Sequence, residues 1–358
     1  MPSALELKYA KLAFGLSISE RRRLWMKLSK LIGNGVPILQ GLESIYKNRV
    51  ATGSTGHPQT IALAEWMKGM RNGSRLGEVI NGWVSHDERM LISAGEQSGT
   101  VEKALLSAAK VINARSQING AVFKGLAYPI VLIALAFGVL YMFGFKIVPA
   151  FSKIAPPEKW HGLARSMIEV SLFAQHWLWL ISLLVVAMVT AFFFSLERWD
   201  GQVRIKVDQY APYSVYRIMQ GSTWLISFSA LIEAGMRIET ALQQLAETAS
   251  PWLKARINGC LRGTRSGLNV GEALTRAGYG FPDREIINDL GVYSSLSGFD
   301  SALATLGNEW LDESVVQIKA RMGVVFGVSI LLVGLLVAFM VAGMMDMELQ
   351  MAALMKSH

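Results

Sequence analysis

The sequence predicts an all-α integral membrane protein, with two repeated cytoplasmic antiparallel helical bundles plus three transmembrane helices. Three observations lead there. Of 358 residues, 52% are apolar and only 17% charged, with a mean hydropathy of +0.33, whereas soluble domains carry roughly 25% charged residues. The apolar excess is concentrated in three charge-free stretches of bilayer length. The chain outside those stretches repeats itself.

Residues 1–124 form the first soluble piece. Arg21, Arg22 and Arg23, with Lys27 and Lys30, precede an apolar stripe of Leu24, Leu28, Leu31 and Ile32 at helical spacing. This basic face suits anionic headgroups, an acidic partner or plain solvent. No long apolar run accompanies these charges, so no cleavable signal peptide is expected. Gly35 sits where a left-handed turn would join two antiparallel helices. Ser74 is the expected N-cap of a short helix carrying Gly77-Glu78. Gly95-Glu96-Gln97-Ser98-Gly99 follows, with Gly95 and Gly99 expected to serve the turn. Glu96 fits a partner contact, a buried hydrogen bond fixing the loop, or a favourable charge at the start of the helix through Val101–Ile112. Asp87-Glu88, like Asp312-Glu313, reads as a solvated helix face.

Residues 125–196 read as a transmembrane hairpin, with spans at about 125–149 and 177–196 and a short periplasmic connection. The uncharged part of the first closes at Lys146, and the second closes at Glu197-Arg198. Residues 197–321 form the second soluble piece and 322–345 the third span. A tail of residues 346–358 remains. Gly323, Gly327 and Gly334 in the third span are spaced for close helix packing, within the chain or against another helix. Three spans place both soluble pieces on one side. Near the membrane that side carries more Lys and Arg than the other, which favours a cytoplasmic N-terminus and a periplasmic C-terminus. Charge is unevenly shared: residues 1–124 hold 17 Lys/Arg against 9 Asp/Glu, and residues 197–321 hold 13 against 14.

The repeat is visible as ordered matches. Gly35 corresponds to Gly235, Gly77-Glu78 to Gly271-Glu272, and Ser98-Gly99 to Ser297-Gly298, at separations of 200, 194 and 199 residues. The stripe of Leu225, Phe228, Leu231 and Ile232 matches that of the first piece, and Asn269 is the expected N-cap of the second Gly-Glu helix. No alternating run suggests a sheet.

Chemistry-bearing motifs are missing. The dipeptide Gly-Lys never occurs, so there is no phosphate loop. The five histidines form no metal-binding pattern, and Cys260 is the lone cysteine. No Asp or Glu lies inside a span, which disfavours a proton relay or an intramembrane protease. No catalytic residue, cofactor or metal is expected. Nucleic-acid binding has only the charge in its favour, and none is expected.

With Gly35-Val36-Pro37, Gly95-Glu96-Gln97-Ser98-Gly99, Tyr128-Pro129, Phe281-Pro282 and the two Gly-Glu pairs in order around three spans, the chain resembles the polytopic inner-membrane platform proteins of type IV pilus assembly and type II secretion (the PilC/GspF family). The resemblance covers about residues 20–345. It implies a non-enzymatic platform in the bacterial inner membrane, coupling a cytoplasmic hexameric ATPase to the extraction and polymerisation of pilin subunits. Implied partners are that ATPase, pilin or pseudopilin transmembrane helices, other inner-membrane pilus components, the lipid bilayer and further copies of the chain. The implied signature-loop or contact residues are Gly77, Glu78, Gly95, Glu96, Ser98, Gly99, Gly271, Glu272, Ser297 and Gly298. Departures fit a divergent branch, such as a bundle-forming or conjugative thin-pilus system: the second signature lacks its glutamate, and Trp83-Val84 stands where Phe-Pro is common. A transporter or channel component is the alternative, although the spans offer few groups for a polar path, among them Ser182, Thr190 and Ser329. A membrane enzyme such as a prepilin peptidase would need carboxylates near the membrane face.

Overall fold

Helices account for every regular element in the described residues, which in this computed structural model are 4–153, 160–294 and 298–356. In the first soluble piece they are α1 (Ala4–Leu16), α2 (Ile18–Gly33), α3 (Ile38–Ala51), α4 (Pro58–Arg71), α5 (Leu76–Val79) and α6 (His86–Ser98). Next come α7 (Val101–Met142), a π-helical turn (Phe143–Ile147), α8 (Val148–Ser152) and α9 (Gly162–Arg198). The second soluble piece holds α10 (Gln202–Val207), α11 (Tyr213–Glu233), α12 (Ile238–Thr248), α13 (Pro251–Arg265), α14 (Val270–Ala277) and α15 (Arg284–Tyr293). The last helix is α16 (Phe299–Lys356).

The chain divides into two units: residues 1–120 with 197–318, and residues 121–196 with 319–358. The two soluble pieces thus share one unit. In repeat one, α2, α3 and α4 pack in succession around Trp25, Trp66, Leu28 and Leu63, all buried. Trp25 stacks on Trp66 at 5.7 Å, and Phe14 and Trp83 meet Trp66 edge-on. In repeat two, α11 to α15 pack in sequence order around Trp224, Phe228, Trp252 and Phe281. Gly35 (φ +81°) and Gly235 (φ +86°) make the expected left-handed turns between paired helices.

The charged residues of repeat one sit differently from the sequence reading. Asp87 and Glu88 are buried, not solvated: Glu88 takes bonds from Arg21 Nε at 3.2 Å and Trp25 Nε1 at 3.0 Å, and Asp87 pairs with Arg115. Arg21 also donates to the Phe14 and Gly15 carbonyls, and Arg22 to Asn113. Of the three arginines only Arg23 is exposed. A carboxylate pair that looks solvated by spacing alone is drawn in because long-range cations meet it. Asp312 and Glu313 are exposed, as expected.

The second unit contains the apolar segments. Among the described residues, three helices are long and apolar enough to cross a membrane, within Val101–Ser152, Gly162–Arg198 and Ser301–Ala353. They are much longer than the spans read from sequence. At 1.5 Å per residue the 37 residues of α9 measure about 55 Å, against a hydrocarbon core of about 30 Å. In particular, α9 starts at Gly162, so most of the expected connection before residue 177 is already helix. Periodicity did not reveal this because the extra turns are mixed in polarity.

Within this unit Tyr128 meets Phe326 at 5.6 Å, and Gly125 and Gly343 allow close approach of Met322 and Met167. The π-turn leaves the Gly144 carbonyl to accept from Ser171 Oγ and Gln175 Nε2, each at 2.8 Å. Asp346 accepts from the Ala164 N–H at 2.9 Å and so caps α9. Gly323, Gly327 and Gly334 have nothing within 4 Å of a modest added side chain. The intramolecular packing expected of that stripe falls on Gly125 and Gly343 instead.

Candidate functional site: the signature loops and the joint between repeats

The Gly-Glu pair does the same work in both repeats. A side chain on Gly77 would run into Ser93 of α6, and one on Gly271 into the backbone at Gly291 of α15. Each glycine therefore lets a short helix lie against its neighbour. Each following glutamate reaches back to the start of its own helix: Glu78 accepts from Arg75 N at 3.2 Å, and Glu272 from Asn269 N at 3.1 Å.

The helix starts are completed differently. Asn269 is the N-cap of α14, accepting from Glu272 N at 2.9 Å. In repeat one the N-cap is Arg75, not Ser74, and a guanidinium has no acceptor to offer. Glu96 supplies it from α6. Its two carboxylate oxygens accept from Leu76 N at 2.8 Å and Gly77 N at 2.7 Å. Glu96 thus lies inside α6 rather than at the start of α7, half-buried, with its carboxylate bonded to the start of α5. It also explains the asymmetry in sequence, since Asn269 caps locally where repeat two lacks the glutamate. Gly95 is not in the turn either. It lies in α6 with Ala104 of α7 against it, and a Cβ there would collide with Ala104.

Gly99 is the left-handed C-cap of α6, with φ +75°. The chain reverses there and projects two hydroxyls toward repeat two. Ser98 Oγ is 2.7 Å and Thr100 Oγ1 3.1 Å from the Ala234 carbonyl oxygen, and the hydroxyls are 2.7 Å from each other. Ala234 is the C-cap of α11, whose last carbonyls lack partners within the helix. The signature loop of repeat one therefore caps the first long helix of repeat two. Gly235 packs under it: a Cβ at this φ of +86° would sit 3.3 Å from Ser98 Cβ. Two turns further along α7, buried Ser107 donates to Glu233 Oε2 at 3.0 Å, and Lys110 lies 4.0 Å from the same oxygen. Of this joint, Ser98, Gly99 and the Ala234-Gly235 turn were visible in the sequence. Thr100, Ser107 and Glu233 were not, although Ser107, a polar residue between Ala104 and Ala108 of an otherwise apolar stretch, was a signal that this face meets something polar. Ser297 lies outside the described residues; Gly298 has φ +91°, left-handed like Gly99 at +75°.

Repeat two carries a second buried polar cluster. Asp208 accepts from Arg256 Nη2 at 3.0 Å and Trp252 Nε1 at 3.3 Å, and Arg204 Nε is 2.9 Å from its other oxygen. Arg204 is fully buried, with its guanidinium 4.1 Å from the Tyr213 ring centroid and near Trp199, Tyr216 and Trp252. Burial lowers the proton affinity of both guanidinia and Asp208 opposes it; an arginine stays charged either way. Arg204 and Asp208 come shortly after the second apolar segment, and their contacts with Trp252 and Arg256 tie α10 to α13. No group of three or more His, Cys, Asp or Glu suited to a metal occurs among the described residues.

Comparison with known proteins matches residues 26–149 and 224–346 to the family described as type II secretion system (T2SS), protein F. The chain is 20% identical over 322 residues to the toxin coregulated pilus biosynthesis protein E of Vibrio cholerae, covering 89% of this chain and 93% of that one. It is 23% identical over 263 residues to the type IV pilus assembly protein PilC of Myxococcus xanthus, covering 71% and 62%. The Pseudomonas aeruginosa protein of the same name is 23% identical over 189 residues, covering 51% and 49%.

Proposed function

Because this chain belongs to the type II secretion system protein F family, whose members are platform proteins of type IV pilus and type II secretion machines, we propose that it is the inner-membrane platform of a type IV pilus. In this reading a cytoplasmic hexameric ATPase engages the soluble repeats, and their motion lifts pilin subunits from the bilayer into the growing filament. The protein performs no covalent chemistry of its own. Its N-terminus is cytoplasmic and its C-terminus periplasmic.

The observation that carries the proposal is the joint. Ser98 and Thr100 of repeat one cap α11 of repeat two, so the repeats form one body. A body of that kind can receive a force at one repeat and respond as a whole, whereas two loosely tethered bundles would dissipate it. The relatives named for pilus biosynthesis and assembly supply the machine. The three apolar helices, which leave Ile130, Leu184 and Leu331 uncovered, supply the bilayer anchor.

The decisive experiment purifies the chain in lipid with the hexameric ATPase encoded beside it. Stimulated ATP turnover is expected. ATP hydrolysis or peptide cleavage by the chain alone would sink the reading. A topology reporter fused after Lys356 should report the periplasm; a cytoplasmic signal would overturn the three-span orientation.

A further inference from the structure

Helix α1 has two apolar faces, and the fold uses one of them. Ala10 and Phe14 are buried, with the Phe14 ring edge-on to Trp66 of α4. On the opposite side Leu5, Tyr9, Leu12 and Leu16 recur at i, i+4, i+7 and i+11 and are 80%, 66%, 66% and 73% exposed. Single apolar residues are ordinary on a protein surface, but four large ones in a row are not. At 3.6 residues per turn the row and the adjoining Ala13 cover an arc of about 100°. Lys8 borders this arc on one side and Glu6 on the other. Lys8 is exposed and makes no hydrogen bond or ion pair among the described residues. Lys11, one turn further on, is turned away over Trp83, its Nζ 5.5 Å from the ring centroid.

We infer that this face of α1 lies in the surface layer of an anionic bilayer, as an interfacial amphipathic helix. Such a helix needs an apolar arc of this width with a cation at its border, and no long repeat. A helical partner fits less well. The row runs for only two heptads, where a zipper is sustained over three or four. Its flanks also give no charge pair to choose a partner: Lys8 and Gly15 stand on one side, Glu6 and Ala13 on the other. Three helices long and apolar enough to cross a membrane make lipid a permanent neighbour of the chain. The face therefore meets lipid as a tethered group, at high effective concentration. Residues 1–124 hold 17 Lys/Arg against 9 Asp/Glu, the sign that anionic headgroups attract. Leu5, Leu12 and Leu16 sit at the acyl boundary, with the Tyr9 hydroxyl and the Lys8 ammonium at headgroup level. Because α1 is already packed on α4, it meets lipid without the ordering cost of a free peptide.

The test reads the depth of a nitroxide on the full chain in nanodiscs of anionic lipid. Leu12→Cys supplies the labelling site, since Cys260 is buried. The nitroxide should collide freely with oxygen and be shielded several-fold from a water-soluble nickel complex, relative to one at Lys47→Cys on the exposed side of α3. A label at Leu16→Cys should behave in the same way, which guards against a local effect of one substitution. Adding Leu5→Glu with Tyr9→Glu should return the Leu12 label to water. Labels at Leu12 and Leu16 that meet the nickel complex as freely as the one at Lys47 would overturn the proposal. So would a Leu12 label that stays shielded beside the two glutamates. Dipolar broadening between labels on two copies would assign the face to a second chain and overturn it as well. The measurement involves no other component of the machine, so each of these failures leaves the platform reading standing.

Discussion

The two repeats share a plan and solve its local problems with different residues. Each has a Gly-Glu helix pressed against a neighbour and a glutamate closing its first turn. Each buries an acid between an arginine and a tryptophan four residues apart: Glu88 with Arg21 and Trp25, Asp208 with Arg256 and Trp252. Yet the second set is not the copy of the first. Arg21 and Trp25 lie on α2, the opening helix of repeat one's matched region, and Arg256 and Trp252 on α13, two helices further along in repeat two. Gly221 stands near the place of Arg21 and is pressed against Pro282. What persists is the physical requirement, that a buried carboxylate be met by a cation and a second donor, and not the position that meets it.

The sharpest way to break that comparison is to remove the buried acids. Asp208→Ala leaves buried Arg204 without its carboxylate and Arg256 with Asp200 alone, 3.3 Å away, and should cost about 3–5 kcal/mol or abolish folding. Glu88→Ala orphans one and should cost less, toward the lower end of that range. Chemical unfolding of the lipid-embedded protein checks both. Equal losses would mean that Arg204 draws its stability from the aromatic rings rather than from Asp208.

Next in size is the capping exchange. Glu96→Ala strips the acceptor from two backbone N–H groups and should cost about 1–3 kcal/mol. Asn269→Ala should cost about 1 kcal/mol. Adding Arg75→Asn to the Glu96→Ala chain places the cap of repeat two in repeat one, and it should restore roughly half of the lost stability. If stability and pilus assembly recover separately, Glu96 has a second role outside the fold.

At the joint, Ser98→Ala alone should change stability by less than about 1 kcal/mol, because Thr100 still donates to Ala234. Ser98→Ala with Thr100→Ala should cost about twice as much and should reduce stimulation of the ATPase in the same preparation. Unchanged coupling would show that the repeats need not move together.

The smallest expected signal is a thiol. Burial pushes the Cys260 thiol up to about 12, so at pH 8 it is protonated as well as covered, and maleimide labelling should be negligible until repeat two opens. Glu96→Ala in repeat one should accelerate labelling if both repeats open as one body. Rapid labelling of the unmodified protein would contradict the packing of α13.

Much of this was legible beforehand because it follows from local chemistry. Apolar stretches of bilayer length announce themselves, Gly35 and Gly235 mark left-handed turns, and Asn269 reads as a cap because its acceptor lies three residues from the donor it serves. Glu96 could not be resolved that way. Its donors, Leu76 N and Gly77 N, lie 20 and 19 residues back, and nothing in the spacing distinguishes such a bond from a partner contact. The Asp87-Glu88 pair failed for the same reason, since its cations come from α2 and α7. The length of α9 was hidden because a helix held by tertiary contacts, with Asp346 as its cap, needs no apolar periodicity of its own.

By itself, then, the sequence determined the helical class, the membrane segments, the repeat and the residues of its signatures, all of which depend on propensity, period and composition. Only the tertiary structure decided which charges are internal, which glycines are approached, and that the loop of one repeat caps a helix of the other. Those outcomes depend on where a buried donor finds its acceptor. Desolvation makes the choice costly to get wrong, but the partner can be any residue the fold brings within 3 Å.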